Sequence, residues 1–170
     1  MLVLFLDIDG VLNSWQSIHY FKYCGARGIE LKKHGYHNYC PLAVSNLNCL
    51  MEEYPSLKIV ISSTWRKHNT LIGIQEVLTQ NHFLYSDRVI GKTGVLDGCR
   101  GDEIKEYVDK WPDIEEFIIL DDDSDMNKVI DHLIQTDQRV GFDFIAFHKA
   151  VEYFESKGFK PTGKTGVCAL

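Results

Sequence analysis

The sequence lacks a hydrophobic run of the length needed to cross a membrane. Its apolar start covers only residues 1–6, whereas a spanning helix needs about 20 apolar residues. The start also lacks the basic leader and the small-residue cleavage site of a signal peptide. We therefore predict that it forms a buried strand, and we expect no membrane partner.

Cysteine pairs and an excess of positive charge are missing as well. The five cysteines are odd in number and widely scattered, with no Cys-x-x-Cys pair, which indicates reduced thiols in a cytoplasmic protein. The net charge is −6, so only a local basic patch would favour nucleic-acid binding. No feature of the sequence indicates an obligate protein partner.

The composition is otherwise that of one soluble globular domain. The 170 residues are 45% hydrophobic and 25% charged, which is enough to bury a substantial core in a single domain spanning residues 1–170. We find no internal repeat and no linker. Residues 14–39 are rich in Tyr, His, Gly and Lys and are predicted to be a flap-like insertion. Residues 158–170 are predicted to be an irregular tail.

Apolar runs and helical apolar spacing alternate along the rest of the chain. The predicted strands are 2–8, 57–61, 88–90, 116–120 and 132–136. The predicted helices are 41–54, 71–80, 100–111, 126–130 and 144–156. This alternation predicts a three-layer α/β fold with a central parallel sheet. Right-handed crossovers then place the carboxyl ends of all strands at one edge, where ligands bind.

Three of the predicted strands end in polar residues at that edge: the sequences are DID from Asp7, SST from Ser62 and DDDSD from Asp121. Clustered carboxylates repel one another unless a hard cation lies among them, and Mg²⁺ prefers oxygen ligands and shares substrate phosphates. A hydroxyl such as Ser62 with nearby backbone N–H groups can bind phosphate oxygens. A cation such as Arg100 can neutralise the remaining charge. These groups together indicate phosphoryl transfer.

Structural explanations compete at each of these positions. Asp7 and Asp9 would form a capped turn after the strand. Ser62 and its neighbours would cap the next helix. Asp123 and Asp125 would cap a helix or lie in a solvated acidic turn. The insertion offers a second metal hypothesis, with zinc held by four residues. They are Cys24, His34, His37 and Cys40. Their spacing matches no standard structural site, which favours surface and packing roles instead.

Four segments carry a resemblance to a known family. They are FLDIDGVLN (5–13), VISSTWR (60–66), RGDEI (100–104) and ILDDDSDM (119–126). Together they resemble the motifs of the haloacid-dehalogenase (HAD) superfamily, and they are close to the HAD domain of Swiss Army Knife RNA-repair proteins. That domain is similar to the 3'-phosphatase domain of polynucleotide kinase-phosphatases. The resemblance implies a Rossmann-like HAD fold without a large cap domain and a magnesium-dependent phosphatase activity.

The resemblance also implies roles for individual residues. Asp7 would be the nucleophile that forms an aspartyl-phosphate, and Asp9 would be the general acid and base. Magnesium would be held by Asp7, the backbone carbonyl of Asp9 and Asp122. Asp121 would bind the ion through a water molecule or support the ligand residues by hydrogen bonds. Ser62 would bind the phosphate.

Several assignments stay open at this point. Ser63 is the alternative to Ser62, and the Gly10 backbone is also assigned to phosphate binding. Family members usually have a lysine in the third motif. Here Arg100 is preferred, and Lys105, one turn later, is the alternative. Substrate contacts are proposed for the cations and for aromatic residues that stack on a base. These candidates are Arg66, Lys105, Trp65 and Trp15. For the two tryptophans, packing against the protein is the competing explanation.

The predicted function is hydrolysis of a phosphate monoester, with a nucleic-acid 3' end or a nucleotide as the substrate. A site without a large lid suits a bulky substrate, although family analogy is a weak guide to the substrate. Two alternatives use the same scaffold. One is a phosphotransferase that passes the phosphoryl group to an acceptor hydroxyl. The other is a non-catalytic module that binds phosphate or metal.

Overall fold

The structure is a computed structural model that describes residues 1–26 and 39–166. Five parallel strands form one sheet with the order β3-β2-β1-β4-β5. The strands are β1 Leu2–Leu6, β2 Leu57–Ile61, β3 Val89–Lys92, β4 Glu116–Asp121 and β5 Leu133–Gln135. The α-helices of the described residues are α1 Trp15–Ala26, α2 Pro41–Glu53, α3 Leu71–Gln80, α4 Arg100–Lys110 and α5 Phe144–Ser156. Short 3₁₀ helices cover Thr64–Lys67, Ser86–Arg88 and Asn127–His132.

The sheet is covered on both faces, as its continuous apolar strands require. Along β1, Leu2, Leu4 and Leu6 pack into the larger core cluster, which includes residues of α2, α3 and α5. Val3 and Phe5 point the other way, into a smaller cluster with residues of α4 and the last 3₁₀ helix. This arrangement confirms the predicted three-layer, Rossmann-like α/β fold with a parallel sheet. None of the described helices is long and apolar enough to cross a membrane.

The register of the central strands brings their carboxyl ends to one level. Leu6 lies beside Ile61 of β2 and Leu120 of β4. The Asp7 amide donates to the Leu120 carbonyl at 2.9 Å, and the Ser62 amide donates to the Leu6 carbonyl at 3.0 Å. The first residue beyond β1, the first beyond β2 and the last of β4 are therefore neighbours. They are Asp7, Ser62 and Asp121.

The first half of the predicted flap-like insertion at residues 14–39 contains helix α1, which the sequence pattern did not predict. Ser14 caps the helix: its hydroxyl accepts from the Ser17 amide at 3.2 Å. Trp15, Tyr20 and Tyr23 are each more than half exposed, so the large residues of α1 do not follow the apolar stripe by which a helix is recognised. Residues 27–38, including His34 and His37, lie outside the described residues, and the zinc hypothesis stays a prediction.

Smaller differences concern where elements end. Strand β1 stops at Leu6 rather than at residue 8, and Asp7 and Ile8 already belong to the turn that follows. The helix predicted at 126–130 is a 3₁₀ helix at Asn127–His132. The described part of the tail, up to residue 166, contains no helix or strand, and it is attached to α2. There the buried Glu53 carboxylate accepts hydrogen bonds from the amides of Gly163 at 2.6 Å and Thr165 at 2.8 Å.

Candidate active site

A cavity of about 560 Å³ opens at the carboxyl edge of the sheet. Its wall combines the turn after β1, the start of α1, the loop after β2, the start of α4 and the loops after β4 and β5. The lining residues are Asp7, Asp9, Gly10, Asn13, Ser14, Trp15, Ile18, Thr64, Arg100, Asp121, Asp122, Asp123 and Gln138. Polar and acidic side chains predominate, so the cavity suits a charged ligand and a cation rather than an apolar molecule.

Three carboxylates meet in this cavity. One oxygen from each of Asp7, Asp121 and Asp122 lies within 4.8 Å of the other two. Burial, with a further contribution from the charge of Asp7, raises the pKa of Asp121 from 3.8 to about 7. Burial also raises the pKa of Asp7, although the neighbouring Arg100 opposes it. The cluster is therefore short of positive charge, which is the condition that a bound cation relieves.

Arg100 supplies the one guanidinium that contacts this cluster within the described residues. Its Nη1 donates to Asp7 Oδ1 at 3.0 Å and to Asp121 Oδ2 at 3.1 Å, and it also contacts the Ser62 carbonyl. Arg100 is the first residue of α4, so its side chain projects from a fixed helix end toward the sheet edge. The geometry places Arg100 where the third-motif cation was predicted.

The start of α4 is held against the loop after β4. The Arg100 amide donates to Asp125 Oδ2 at 3.1 Å, and the Gly101 amide donates to the Asp125 carbonyl at 3.1 Å. A Cβ atom on Gly101 would lie 1.9 Å from the Met126 carbonyl oxygen. Glycine is therefore required at this position for the helix and the loop to approach so closely, and the Asp125 carboxylate accepts the first amide of α4 from the loop after β4.

The three carboxylates fit a divalent, oxygen-preferring cation such as magnesium. With one of their charges offset by Arg100, three ionised groups leave two negative charges to be neutralised. Gly10 makes room for the Asp122 carboxylate. Its φ is +77°, and a Cβ atom there would lie 2.3 Å from the Asp122 carboxylate carbon. Asp7, Asp121 and Asp122 were all predicted as metal ligands or supports, and the structure brings them together.

Asp9 lines the cavity with an exposed side chain, yet two donors hold its carboxylate. Asn13 Nδ2 donates to Oδ1 at 2.7 Å, and Trp65 Nε1 donates to Oδ2 at 2.9 Å. The Gly10 amide, assigned to phosphate in the sequence analysis, donates to Asn13 Oδ1 at 3.1 Å instead. Asn13 was not among the predicted site residues, because its contact with Asp9 depends on a turn that the sequence does not specify.

The hydroxyls after β2 are placed differently from one another. The Ser62 hydroxyl is buried and has no hydrogen-bond partner within residues 1–26 and 39–166. The Ser63 hydroxyl contacts the Asp7 carboxylate and accepts from the Trp65 amide at 3.4 Å, so it also caps the 3₁₀ helix. Thr64 lines the cavity. Of the two predicted serines, Ser63 lies nearer to the nucleophile candidate, and Thr64 is an additional hydroxyl at the surface of the site.

The two other predicted cations point elsewhere. Arg66 is buried and pairs with Glu103, and its remaining bonds are to backbone carbonyls, among them Ser63 at 2.7 Å. Lys105 is exposed on α4 and pairs with Asp109. Neither side chain belongs to the cavity wall described above. These positions do not fit the substrate contacts suggested for both residues, whereas Trp65 reaches the site through Asp9.

Replacing Asp121 by asparagine should change how stability depends on pH. The folded state holds a proton on Asp121 up to about pH 7 and the unfolded chain only up to 3.8, so in metal-free protein this group lowers the unfolding free energy as pH rises between those values. We expect Asp121→Asn to be less pH-dependent and, at about pH 8, more stable than the wild type by up to roughly 4 kcal/mol.

Urea unfolding in EDTA at about pH 5 and about pH 8 measures this difference. Asp109→Asn, at an exposed position on α4, is the matched control and should follow the wild type. Adding magnesium at the higher pH should stabilise the wild type. The explanation would be abandoned if Asp121→Asn showed the same slope with pH as the wild type.

Comparison with known families places most of the described chain in a family. The model of a family described as "HAD domain in Swiss Army Knife RNA repair proteins" matches residues 3–144. The matched region includes the turn after β1, the loop after β2, the start of α4 and the loop after β4, which together build the cavity wall. No curated protein and no solved structure matches the chain.

Proposed function

The chain belongs to the family of HAD domains in Swiss Army Knife RNA repair proteins, and on that premise we propose that it is a magnesium-dependent hydrolase of phosphate monoesters. The family implies a phosphohydrolase-type function. The observation that carries the proposal is the convergence of two kinds of group on one cavity. Asp7 lies in an acidic cluster with Arg100, and Asp9 stands beside it with its carboxylate held for proton transfer.

The first step is transfer of the phosphoryl group to the protein. A carboxylate oxygen of Asp7 attacks phosphorus, the bond from phosphorus to the ester oxygen breaks, and protonated Asp9 gives its proton to that leaving oxygen. The product alcohol departs and an aspartyl-phosphate remains on Asp7. Arg100, which touches Asp7, orients the nucleophile and offsets the charge of the phosphoryl oxygens.

The second step is hydrolysis of that intermediate. Asp9, now ionised, takes a proton from a water molecule, the water oxygen attacks phosphorus, and the bond from phosphorus to Asp7 breaks. Inorganic phosphate leaves, and both carboxyl groups return to their starting protonation states. One side chain serves as the acid and then as the base, as microscopic reversibility requires for such a pair of steps.

The acidic cluster explains the expected metal requirement. Asp7, Asp122 and the backbone carbonyl of Asp9 would hold magnesium, with Asp121 supporting the ligands from a more buried position. When bound, the ion supplies positive charge to the cluster and to the phosphoryl group. Arg100 alone offsets only one of the three negative charges, which is why we expect the residues to need the ion for activity.

A nucleic-acid terminus, in particular a 3'-phosphate, is the proposed substrate class. Two observations support it: the family description refers to RNA repair, and Trp15, a residue of the cavity wall, is 58% exposed. An exposed indole next to a phosphate site is suited to stacking on a terminal base. The net charge of −6 argues for recognition of an end rather than of a long stretch of backbone.

A phosphate-release assay with magnesium tests the proposed function. The panel should compare DNA and RNA oligonucleotides carrying 3'- or 5'-phosphates, mononucleotides, phosphopeptides and a generic aryl phosphate. We expect release that EDTA abolishes, fastest from the 3'-phosphates. Release from none of them, with magnesium binding intact, would contradict hydrolysis and favour a non-catalytic module. Product analysis with added alcohols would detect transfer to an acceptor hydroxyl.

A further inference from the structure

We infer that Asn13 and Trp65 are positioning residues that hold Asp9 in the orientation needed to give a proton to the leaving group and to take one from the attacking water. This inference rests on the proposed function. Its basis is that both oxygens of the Asp9 carboxylate accept a hydrogen bond from a neutral donor, at 2.7 Å from Asn13 and 2.9 Å from Trp65. An exposed carboxylate at a cavity wall would otherwise sample several rotamers in water.

The orientation of the Asn13 amide is determined by its own neighbours. Asn13 is only 7% exposed, and its Oδ1 accepts from the Gly10 amide at 3.1 Å. A backbone N–H needs an acceptor, so the oxygen of the side chain must face Gly10 and the NH₂ group must face Asp9. The same turn that carries the acid therefore carries the donor that fixes it, within four residues of sequence.

Trp65 approaches Asp9 from a different part of the chain. It lies in the 3₁₀ helix after β2, whose start is capped by Ser63. The half-buried indole packs on the larger core cluster and near the ring of Tyr39, with 6.1 Å between ring centroids. An indole has one N–H donor and no acceptor. Trp65 can therefore donate a hydrogen bond to the Asp9 carboxylate, but it cannot accept or release the proton itself.

Two donors still leave Asp9 able to do its chemistry. A carboxylate offers about four lone-pair positions, and Asn13 and Trp65 occupy one on each oxygen. The remaining positions can carry the proton that passes to the leaving oxygen. General acid catalysis of this kind contributes roughly 10²–10⁴-fold to the rate, and it depends on holding the proton within hydrogen-bond reach of the leaving oxygen. Loss of a donor should therefore weaken proton transfer and leave phosphate binding largely intact.

Trp65→Phe and Asn13→Asp remove the two donors separately. Phenylalanine keeps an aromatic ring on the core, and aspartate keeps an oxygen for the Gly10 amide while removing the NH₂ group. With an alkyl phosphate, whose leaving group needs a proton, we expect kcat/KM to fall about tenfold or more in each variant. This ratio reports the steps up to formation of the aspartyl-phosphate, so hydrolysis of the intermediate, in which Asp9 is the base for every ester, does not enter the comparison. With 2,4-dinitrophenyl phosphate, whose leaving group needs none, we expect kcat/KM of Trp65→Phe to change by less than about twofold. Asn13→Asp adds a negative charge to the cavity wall, which lowers kcat/KM for both esters, and the alkyl ester should lose about tenfold more than the dinitrophenyl ester.

A double-mutant cycle identifies the residue through which Trp65 acts. In an Asp9→Ala background, adding Trp65→Phe should cause no further loss with the alkyl ester. Trp111→Phe is the matched control: this indole is exposed at the C-terminal end of α4, stacked on Tyr107, and the variant should behave like the wild type with both esters. Should Trp65→Phe fail to fold, Asn13→Asp carries the same comparison.

Equal losses of kcat/KM with both esters in the single variants, or full additivity in the cycle, would overturn the positioning role while leaving the hydrolase intact. A wild-type protein that releases no phosphate from either ester would contradict the proposed function, and the positioning role with it. The two failures are distinguished by the activity of the wild-type protein alone.

Discussion

Replacing Asp7 by asparagine is expected to abolish phosphate release, by on the order of 10⁴-fold or more. An amide is a poor nucleophile toward phosphorus. Asp7 directly follows the central strand β1, and Arg100 Nη1 donates to its Oδ1 at 3.0 Å. No other described carboxylate combines this position with that contact. The substitution is nearly isosteric, so the remaining wall of the cavity should keep its shape.

The stability of the same variant separates loss of chemistry from loss of fold. Burial raises the pKa of Asp7 above its ordinary value despite Arg100, so the ionised carboxylate costs folding free energy at neutral pH. Without metal, Asp7→Asn should therefore unfold at an equal or higher urea concentration than the wild type. Asp109→Asn, which removes only an exposed ion pair on α4, should leave activity unchanged and alter the unfolding free energy by less than about 1 kcal/mol.

Acid-quenched protein incubated with a labelled phosphate ester provides the second measurement. The wild type should carry label in an acid-stable, base-labile form, and Asp7→Asn should carry none. Activity retained in Asp7→Asn would contradict the covalent mechanism even if the chain is a hydrolase. Absence of label in an active wild type would point to direct attack by water instead.

The placement of Asp7, Asp121 and Arg100 could be predicted because it depends on topology. Apolar runs of five or six residues identify parallel strands, and parallel strands end at one edge. The acidic residues at two strand ends and the first residue of the next helix then have to be neighbours. The family resemblance added the same residues independently, and the structure brings both carboxylates within hydrogen-bond distance of Arg100.

The supporting side chains could not be predicted, because their partners are distant in sequence or depend on local geometry. Arg66 follows the second motif in sequence, which suggested a contact with the substrate. In the structure its guanidinium is instead paired with Glu103, 37 residues later, in the protein interior. Asp7 and Asp9 would share a direction if β1 continued, yet the strand stops at Leu6 and they acquire different partners. Helix α1 was missed because its large aromatic residues face solvent.

The buried pair of Arg66 and Glu103 links the loop after β2 to α4. Both side chains are nearly inaccessible, at 3% and 6% of their surface. Glu103 also accepts from the Leu96 amide at 3.1 Å, and Arg66 donates to the carbonyls of Ser62 at 3.1 Å and Ser63 at 2.7 Å. The pair therefore supports the backbone on which the hydroxyl groups of the site are placed.

Removing one member of this pair should destabilise the protein strongly. Glu103→Leu leaves the Arg66 guanidinium buried without its counter-charge, and we expect a loss of about 3–5 kcal/mol in urea unfolding. Replacing both residues, as Arg66→Met with Glu103→Leu, removes the unpaired charge and should recover much of that loss. Lys105→Ala, which removes an exposed pair on the same helix, should cost less than about 1 kcal/mol.

Activity of the double variant then tests what the pair does for the site. Methionine cannot donate to the carbonyls of Ser62 and Ser63, so phosphate release should stay well below the wild type after stability has returned. The expected signature is a raised KM, because the loop that carries Ser63 and Thr64 is no longer fixed against the ligand. Recovery of both stability and activity in the double variant would show that the pair serves the fold alone. A cost below about 1 kcal/mol for Glu103→Leu would mean that the Arg66 guanidinium finds another partner or water.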